Sequence, residues 1–210
     1  MISFKKGAHL YLKKFLFTFS FIILGLIAYL YFVIFSAPIV EKDIRSQYLK
    51  AGDFQLFFDG RPFELNQLKG QSVILYFGYT SCPDVCPVGL ANIRDLLNSY
   101  DEFSSIPVLF VTLDPFRDTP EVLSEYVSFF HKNIIPLSGS KDQIRKVIEA
   151  YGGFFRHNTN DGGAVDGAKN NYLVDHSAYY YLIDSHGDLT RVLDHSVTVD
   201  ELAQSLRPLL

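Results

Sequence analysis

Two runs of almost wholly apolar residues constrain the fold of this 210-residue chain more than any other feature. The runs cover residues 73–77 and 107–113. Strands without polar residues are typical of a parallel sheet that is buried on both faces. Leu90, Ile93 and Leu97 follow the first run at helical spacing, and a helix is the crossover that two parallel strands require. The pattern therefore predicts an α/β domain.

Turn and capping signals place the other elements around these two strands. Pro83 is predicted to lie just inside the first helix, and Thr119, Ser140 and Thr198 are predicted to cap three more. The predicted strands are residues 54–58, 62–65, 73–77, 107–113, 135–137, 178–183 and 189–193. Strands and helices that alternate and then end in an antiparallel pair and a closing helix indicate a thioredoxin-like mixed sheet flanked by helices. The polar stretch 157–171 is predicted to be a mobile or functional loop.

The N-terminal part of the chain differs in kind from the rest. No charged residue lies between Lys14 and Glu41, and residues 15–35 are almost wholly Phe, Leu, Ile, Tyr and Val. A helix of this length, at about 1.5 Å per residue, crosses a bilayer core of about 30 Å. A buried core helix and a cleavable signal peptide are the alternatives, and the apolar run is long for both. We therefore expect an uncleaved transmembrane helix over residues 15–37.

Charge predicts the orientation of this helix. Lysines are the only charged residues before the span, and positive residues stay on the cytoplasmic or matrix side. We expect residues 1–14 on that side, a tether over residues 38–50, and a globular domain over residues 51–210 on the other side. The chain is thus expected in an inner membrane, with the domain in the periplasm or in the mitochondrial intermembrane space. Both cysteines would then lie outside the reducing cytosol.

Composition excludes several classes of protein. The chain is 48% hydrophobic and 20% charged, which excludes a disordered chain, and two cysteines are too few for a disulfide framework. Four of the 19 basic residues lie among the first 14 positions, which leaves 15 against 23 acidic residues, a net charge of −8 for the remainder. We expect no nucleic-acid binding, because phosphate recognition needs a basic surface.

Both cysteines lie where the first apolar strand passes into a helix, in Gly78-Tyr-Thr-Ser-Cys82-Pro-Asp-Val-Cys86-Pro. Ligands bind α/β sheets at this edge, and a helix start favours the thiolate of Cys82. A spacing of four is expected to bring Cys86 onto the same helical face one turn later. Two core cysteines, a dithiol/disulfide redox pair and a metal site are the three interpretations. The three intervening residues, against two in thioredoxin-type redox motifs, leave room for a soft metal ion that needs a third ligand.

His176 is the candidate third ligand. It lies in Val174-Asp175-His176-Ser177, at the predicted entry to the strand beside the cysteine-bearing edge. His157, in the polar stretch, is the strongest competitor. Asp175 is a candidate partner that fixes the imidazole, although adjacent strand residues point to opposite faces. The other histidines are on the wrong side of the expected membrane or in predicted helix ends and turns: His9, His131, His186 and His195.

Three segments, in this order, resemble the signature segments of the Sco/SenC proteins. They are Tyr79-Thr-Ser-Cys82-Pro-Asp-Val-Cys86-Pro, then Leu113-Asp114-Pro115-Phe-Arg117-Asp118-Thr119-Pro120, then Val174-Asp175-His176-Ser177 followed by Tyr181-Leu-Ile-Asp184. The resemblance covers about residues 45–208. Sco/SenC proteins are membrane-anchored, thioredoxin-like copper proteins that assist assembly of the CuA centre of cytochrome c oxidase. The resemblance implies that Cys82, Cys86 and His176 bind copper, and that the partners are the oxidase copper-site subunit and an upstream copper donor.

Ligand chemistry agrees with copper as the bound ion. Thiolates select soft Cu(I), and two cysteines with one histidine suit Cu(I) or, with a further ligand, Cu(II). Zinc would accept the same donors with a water molecule, so the ligand types alone leave zinc open. The leading hypothesis is a metallochaperone that transfers copper to the oxidase by ligand exchange.

The alternative hypothesis is a thiol:disulfide oxidoreductase, in which Cys82 and Cys86 reduce the cysteines of the oxidase copper site. The sequence leaves open whether the chain is an enzyme. A peroxidase is disfavoured, because no residue indicates a peroxide pocket. The charged residues at 114–118 are interpreted as a turn with a helix cap or as a partner-docking site, and Tyr79 and Tyr181 as packing residues.

Overall fold

A computed structural model describes residues 17, 19–21, 23–31, 51–158 and 172–210 of the chain. The chain divides into two compact units, Met1–Lys42 and Asp43–Leu210. The second unit contains nine strands and four α-helices among the described residues. The strands are β1 (Gln55–Phe58), β2 (Arg61–Glu64), β3 (Val73–Gly78), β4 (Val108–Thr112), β5 (Ile134–Leu137), β6 (Phe155–Asn158), β7 (Leu173–His176), β8 (Tyr179–Ile183) and β9 (Leu189–Asp194). The helices are α1 (Val85–Ser99), α2 (Pro120–Ser128), α3 (Lys141–Ala150) and α4 (Val199–Leu206).

A five-stranded mixed sheet forms the centre of this unit, in the order β5-β4-β3-β8-β9. The strands β3, β4 and β5 are parallel, while β8 and β9 are antiparallel to their neighbours. Every residue of β3 and β4 is buried, which explains why their sequences are almost wholly apolar. Because β3 and β4 are parallel neighbours, the segments that follow them meet at one edge of the sheet.

The two faces of the sheet bury separate apolar clusters, because successive strand residues point to opposite sides. Helices α1, α2 and α4 pack on one face, around Ile74, Tyr76, Phe110 and Tyr180. Helix α3 and the β1–β2 hairpin pack on the other face, around Leu75, Phe77, Leu109 and Tyr181. Both cysteines belong to this second cluster. The predicted thioredoxin-like α/β fold with helices on both faces is therefore confirmed.

Local signals explain why most elements begin where they do. The hairpin turns at Asp59 and Gly60, both with positive φ, as an Asp-Gly pair allows. Thr119 caps α2 through a hydrogen bond from the backbone N–H of Val122. Ser140 and Thr198 each form a complete capping box with the Gln or Glu three residues later.

Two predictions about the secondary structure are wrong. Pro83 lies before α1, which begins at Val85 after an N-cap at Asp84. The polar stretch 157–171 begins inside a strand, because β6 ends at Asn158 and pairs with β7 in a separate two-stranded sheet. Residues 159–171 lie outside the described residues, so the loop prediction for them stays a prediction.

The first unit is described only as helical residues 17, 19–21 and 23–31, all of them exposed. No helix in the described part of the chain has both the length and the apolar character that a membrane span needs. The segment expected on the cytoplasmic or matrix side, residues 1–14, and the expected tether, residues 38–50, lie outside the described residues. The expected anchor, residues 15–37, is described only in part.

A substitution at Gly89 tests how tightly α1 packs on the sheet. A Cβ atom at this position would lie inside contact distance of the Tyr76 hydroxyl, which donates to the Val85 carbonyl at 3.2 Å. We predict that Gly89→Ala lowers the free energy of unfolding by about 1–3 kcal/mol, because Tyr76 is fully buried and has no room to yield. Chemical denaturation of the two proteins measures the difference. Asn98→Ala, on the exposed side of the same helix, is the control and is expected to cause no loss.

Candidate metal centre

The turn between β3 and α1 places the two cysteines. Cys82 lies in the turn, where its N–H donates to the Tyr79 carbonyl at 3.2 Å, and Cys86 is the second residue of α1. The backbone N–H of Cys86 points at Cys82 Sγ, 3.5 Å away. Asp84, the N-cap, makes no side-chain capping bond, so the Cys82 sulfur satisfies one of the free N–H groups of the helix start. Cys82 precedes the helix, so the turn before α1 brings the two sulfurs together. The expected spacing along one helical face is not the cause.

Gly78, the last residue of β3, lets Cys86 approach the sheet. A Cβ atom on Gly78 would lie 2.7 Å from Phe110 Cε2 and 3.0 Å from Cys86 Sγ. Both distances are too short for a side chain, so a residue larger than glycine would displace the sulfur or the ring. Cys86 is consequently fully buried and Cys82 is 9% exposed.

His176 ends β7 and points its ring at the sulfurs. Its Nε2 is 3.5 Å from Cys86 Sγ, and its Nδ1 is 2.9 Å from the Ser177 carbonyl oxygen. Because a carbonyl oxygen only accepts hydrogen bonds, Nδ1 carries the proton and the Nε2 lone pair faces the sulfurs. In the described part of the chain, Cys82, Cys86 and His176 are the only group of three acidic, cysteine or histidine residues arranged to hold a metal ion, with ligand atoms within 4.8 Å of one another.

The structure corrects the interpretation of Asp175. Its carboxylate pairs with Arg156 at 3.1 Å on the exposed side of the β6–β7 sheet and does not contact the imidazole. The alternation of side chains along β7 is the reason, since neighbours point to opposite faces. The Ser177 carbonyl fixes the ring of His176 instead.

The structure also corrects the location of His157. This residue lies in β6, not in a loop, and its side chain is 3% exposed. Its Nε2 is 4.0 Å from Asp114 Oδ1. Burial lowers the pKa of His157, so the ring is held neutral beside a carboxylate. It is not part of the cysteine–histidine cluster.

Tyr79 does more than pack against its neighbours. Its ring meets the His176 ring edge to face, with centroids 6.0 Å apart, and its hydroxyl accepts the backbone N–H of Val174 at 3.4 Å. Tyr79 therefore contacts both the histidine and the strand that carries it. Tyr181 is a packing residue as predicted, fully buried against Phe77.

Two buried carboxylates lie in the segment after β4, where the sequence indicated a charged turn or a docking site. Asp118 is 1% exposed and accepts the backbone N–H of Thr80 at 3.1 Å, together with the hydroxyls of Thr80 and Thr112. Burial raises the pKa of Asp118, although these hydrogen bonds oppose the rise. Asp114 is fully buried and pairs with Arg117. A solvent-exposed docking role for either carboxylate is therefore excluded.

The two thiols differ strongly in acidity. The Cys86 thiol donates a hydrogen bond to the Cys82 sulfur and thereby lowers the pKa of Cys82 to about 4, although burial opposes this effect. The same hydrogen bond, together with burial, raises the pKa of Cys86. The metal-free pair therefore holds one thiolate and one thiol at neutral pH, and the thiolate is the more exposed of the two.

A family model described as SCO1/SenC matches residues 42–210. The chain belongs to the SCO1/SenC family. The resemblance carried by the three sequence segments is thereby confirmed.

Relatives and solved structures agree with this membership. The SCO1/SenC chain is 40% identical over 154 residues to a SCO2-like protein of Rickettsia prowazekii, which covers 65% of this chain and 72% of the relative. It is 41% identical over 145 residues to mitochondrial SCO2 of Saccharomyces cerevisiae, covering 68% of this chain and 46% of that protein. The solved structure of Bradyrhizobium japonicum ScoI with copper bound has a TM-score of 0.64 at 33% identity, and the match covers 76% of this chain and 99% of that one.

Sequence reasoning brought together the three residues of the cluster and missed the groups that hold them. Thr80, Thr112 and Tyr172 were not singled out, and Arg117 and Asp118 were interpreted only as part of a charged turn or a docking site. An Asp-Pro-Phe-Arg-Asp segment directly after a buried parallel strand was the available signal, because that position lies at the ligand-binding edge of the sheet.

The acidity of Cys82 gives a measurable pH profile. The thiolate is the reactive form, so the rate of alkylation by iodoacetamide should rise as the pH rises through about 4 and then stay constant. An ordinary thiol shows this rise near pH 8.5. Mass spectrometry of the reduced, metal-free protein measures the rate at each cysteine, and Cys86 is expected to stay unmodified at neutral pH.

Cys86→Ala is the matched variant for this measurement. It removes the main cause of the low pKa, so the rise in Cys82 alkylation should move to higher pH. A wild-type midpoint near that of an ordinary thiol would contradict the assignment of the thiolate to Cys82.

Proposed function

We propose that this chain is a copper metallochaperone that binds Cu(I) or Cu(II) through Cys82, Cys86 and His176. The observation that carries the proposal is the convergence of two sulfurs and one imidazole nitrogen within 4.8 Å of one another. Membership of the SCO1/SenC family, with the copper-bound structure of a relative, supports copper over zinc. The donor set supports the same choice, because soft thiolates favour Cu(I).

The geometry supports binding at a preformed site and release through the more accessible of the two sulfurs. The Nδ1 hydrogen bond to Ser177 holds His176 in the tautomer that a metal needs, so little reorganisation accompanies binding. Both cysteines are buried, but Cys82 is 9% exposed and Cys86 is fully buried. We infer that an incoming ligand of the acceptor displaces Cys82 first and that the ion leaves by stepwise ligand exchange.

The proposed acceptor is the copper-site subunit of cytochrome c oxidase, and the proposed source is an upstream copper donor protein. The family relationship supports both partners. The acidic body of the chain suits partners with a basic docking patch, since complementary charge increases the rate of encounter.

A thiol:disulfide oxidoreductase is the second candidate function, and the unequal acidity of the two thiols favours it. The Cys82 thiolate would attack a disulfide of the oxidase copper site, and Cys86 would then release the reduced partner. The two thiols lose two electrons and two protons to form a disulfide, and the partner disulfide gains both. Both functions need the same two sulfurs, but only copper binding needs His176.

We further propose that residues 15–37 anchor the chain in an inner membrane, with the domain in the periplasm or the mitochondrial intermembrane space. The uncharged run supports this proposal. So does the exposure of large apolar side chains on the described helical residues, such as Phe17 at 66% and Leu24 at 65%.

Replacing His176 by Ala separates the two candidate functions. We predict that His176→Ala lowers the affinity for Cu(II) by at least about 100-fold, because one of three ligands is lost. Competition with a chelator under anaerobic conditions measures the affinity. The rate at which the dithiol reduces a model disulfide should stay within about twofold, because both thiols remain.

His186→Ala is the control for this experiment. Its side chain is 81% exposed in the turn between β8 and β9, and Cu(II) affinity should not change. His157→Ala tests the competing histidine, and we expect no loss of a copper ligand there. An unchanged Cu(II) affinity in His176→Ala would refute the proposed ligand set and favour the reductase.

The proposed anchor predicts where the full chain is found. In cells, the full chain should remain with the membrane fraction after extraction with alkaline carbonate, whereas a chain that starts at residue 51 behind a cleavable signal should be released. Fractionation and immunoblotting measure this, and a full chain that is released would contradict the anchor.

A further inference from the structure

The strand that carries His176 is not part of the central sheet. In the described part of the chain, the backbone of β7 pairs only with β6, whereas the cysteines follow β3 of the five-stranded sheet. Ser177 and Ala178 join β7 to β8 of the central sheet, and Val174 is buried in the same apolar cluster as both cysteines. Polar side chains that connect the two sheets complete the placement of the imidazole. Two sets of polar contacts make this connection. One joins β7 to Tyr79, and the other joins Tyr172 to the segment after β4.

Arg117 and Asp114 hold Tyr172, the residue before β7, in three ways. The guanidinium carbon of Arg117 lies 3.9 Å from the centre of the Tyr172 ring. Its Nη1 donates to the Tyr172 carbonyl oxygen at 3.1 Å. The Tyr172 hydroxyl donates to Asp114, which also accepts from Nε of Arg117. Ring, hydroxyl and carbonyl of one residue are thus fixed by a single ion pair.

The Arg117 guanidinium also faces Tyr79, the residue that contacts His176. Its carbon lies 5.8 Å from the centre of the Tyr79 ring. Tyr79 in turn contacts the ring of His176 and accepts the N–H of Val174. Arg117 therefore lies between the two aromatic residues that contact β7, one at its start and one along its length.

A buried ion pair is a weak explanation for stability. Asp114 is fully buried and the Arg117 side chain is 14% exposed, so the cost of removing both charges from water offsets most of their attraction. The pair instead fixes the orientation of its neighbours, because a planar guanidinium stacks on rings and donates hydrogen bonds in fixed directions. A lysine would keep the charge and lose both the stacking and the fork of donors.

We propose that the Asp114–Arg117 pair positions β7, so that His176 Nε2 stays within reach of the two sulfurs, and that it thereby determines the affinity for Cu(II). This inference rests on the proposed function. Arg117 and Asp114 are positioning residues, since neither belongs to the cysteine–histidine cluster. Cu(I) depends mainly on the two thiolates and is affected less.

Arg117→Lys is the test variant. We expect the affinity for Cu(II) to fall about 10- to 100-fold, as for other residues that orient a metal ligand, while the affinity for Cu(I) changes by about twofold or less. Chelator competition measures both, and the thiolate-to-copper absorption and EPR signals of the Cu(II) form should shift toward those of His176→Ala. In the metal-free protein, hydrogen exchange at the backbone N–H of Val174 should become faster.

Arg156→Lys is the matched control. It is the same substitution on the neighbouring strand β6, in an exposed pair with Asp175, and neither copper affinity nor hydrogen exchange should change. Tyr172→Phe is a second test, because it removes only the hydroxyl bond to Asp114 and keeps the ring under Arg117. If Arg117→Lys does not fold, Tyr172→Phe decides, with a loss of Cu(II) affinity in the same direction.

A double-mutant cycle with His176→Ala separates positioning from general stability. If Arg117 acts through His176, Arg117→Lys causes no further loss of Cu(II) affinity once the imidazole is gone. Equal losses in both backgrounds, or no loss in either, would overturn the inference. If His176→Ala lowers the affinity and Arg117→Lys does not, only this inference fails. If His176→Ala has no effect, the proposed ligand set fails as well.

Discussion

The carboxylate of Asp118 is the interaction on which the position of both sulfurs depends. It accepts hydrogen bonds from Thr80, in the turn that carries Cys82, and from Thr112, the last residue of β4. The ends of two parallel neighbouring strands are thereby joined through one buried group. Hydrogen bonds to a carboxylate are strong in a buried site, so these bonds hold the cysteine turn against the end of β4.

Most of the fold could be predicted because its signals are local. Almost wholly apolar runs identified β3 and β4, an Asp-Gly pair identified the hairpin turn, and capping residues identified the starts of three helices. The two cysteines and His176 could also be predicted, since they stand in segments that resemble those of a known family. The structure adds the observation that these three side chains converge.

The remaining features depend on contacts that no local pattern contains. Asp114 and Asp118 follow a strand, in a segment that also contains proline and arginine. Exposed turns have the same composition. Only the packing of β6–β7 and of the cysteine turn over them makes them buried. β6 was missed because it has only four residues, three of them polar, and its partner lies beyond a polar stretch. The backbone oxygen that selects the tautomer of His176 has no sequence signature.

The separation of the β6–β7 ribbon from the central sheet has a mechanical consequence. An ion held by all three side chains is a cross-link between two sheets that share no backbone ladder in the described structure. Binding of the ion would stabilise the position of the ribbon against the domain, because a ligand stabilises the state that it binds. Loss of the ion would remove this cross-link and leave the contacts of Tyr79 and Arg117, with the burial of Val174, to hold the ribbon. A partner that contacts the ribbon would therefore meet a more rigid surface in the metal-bound protein than in the metal-free one, while the central sheet stays the same.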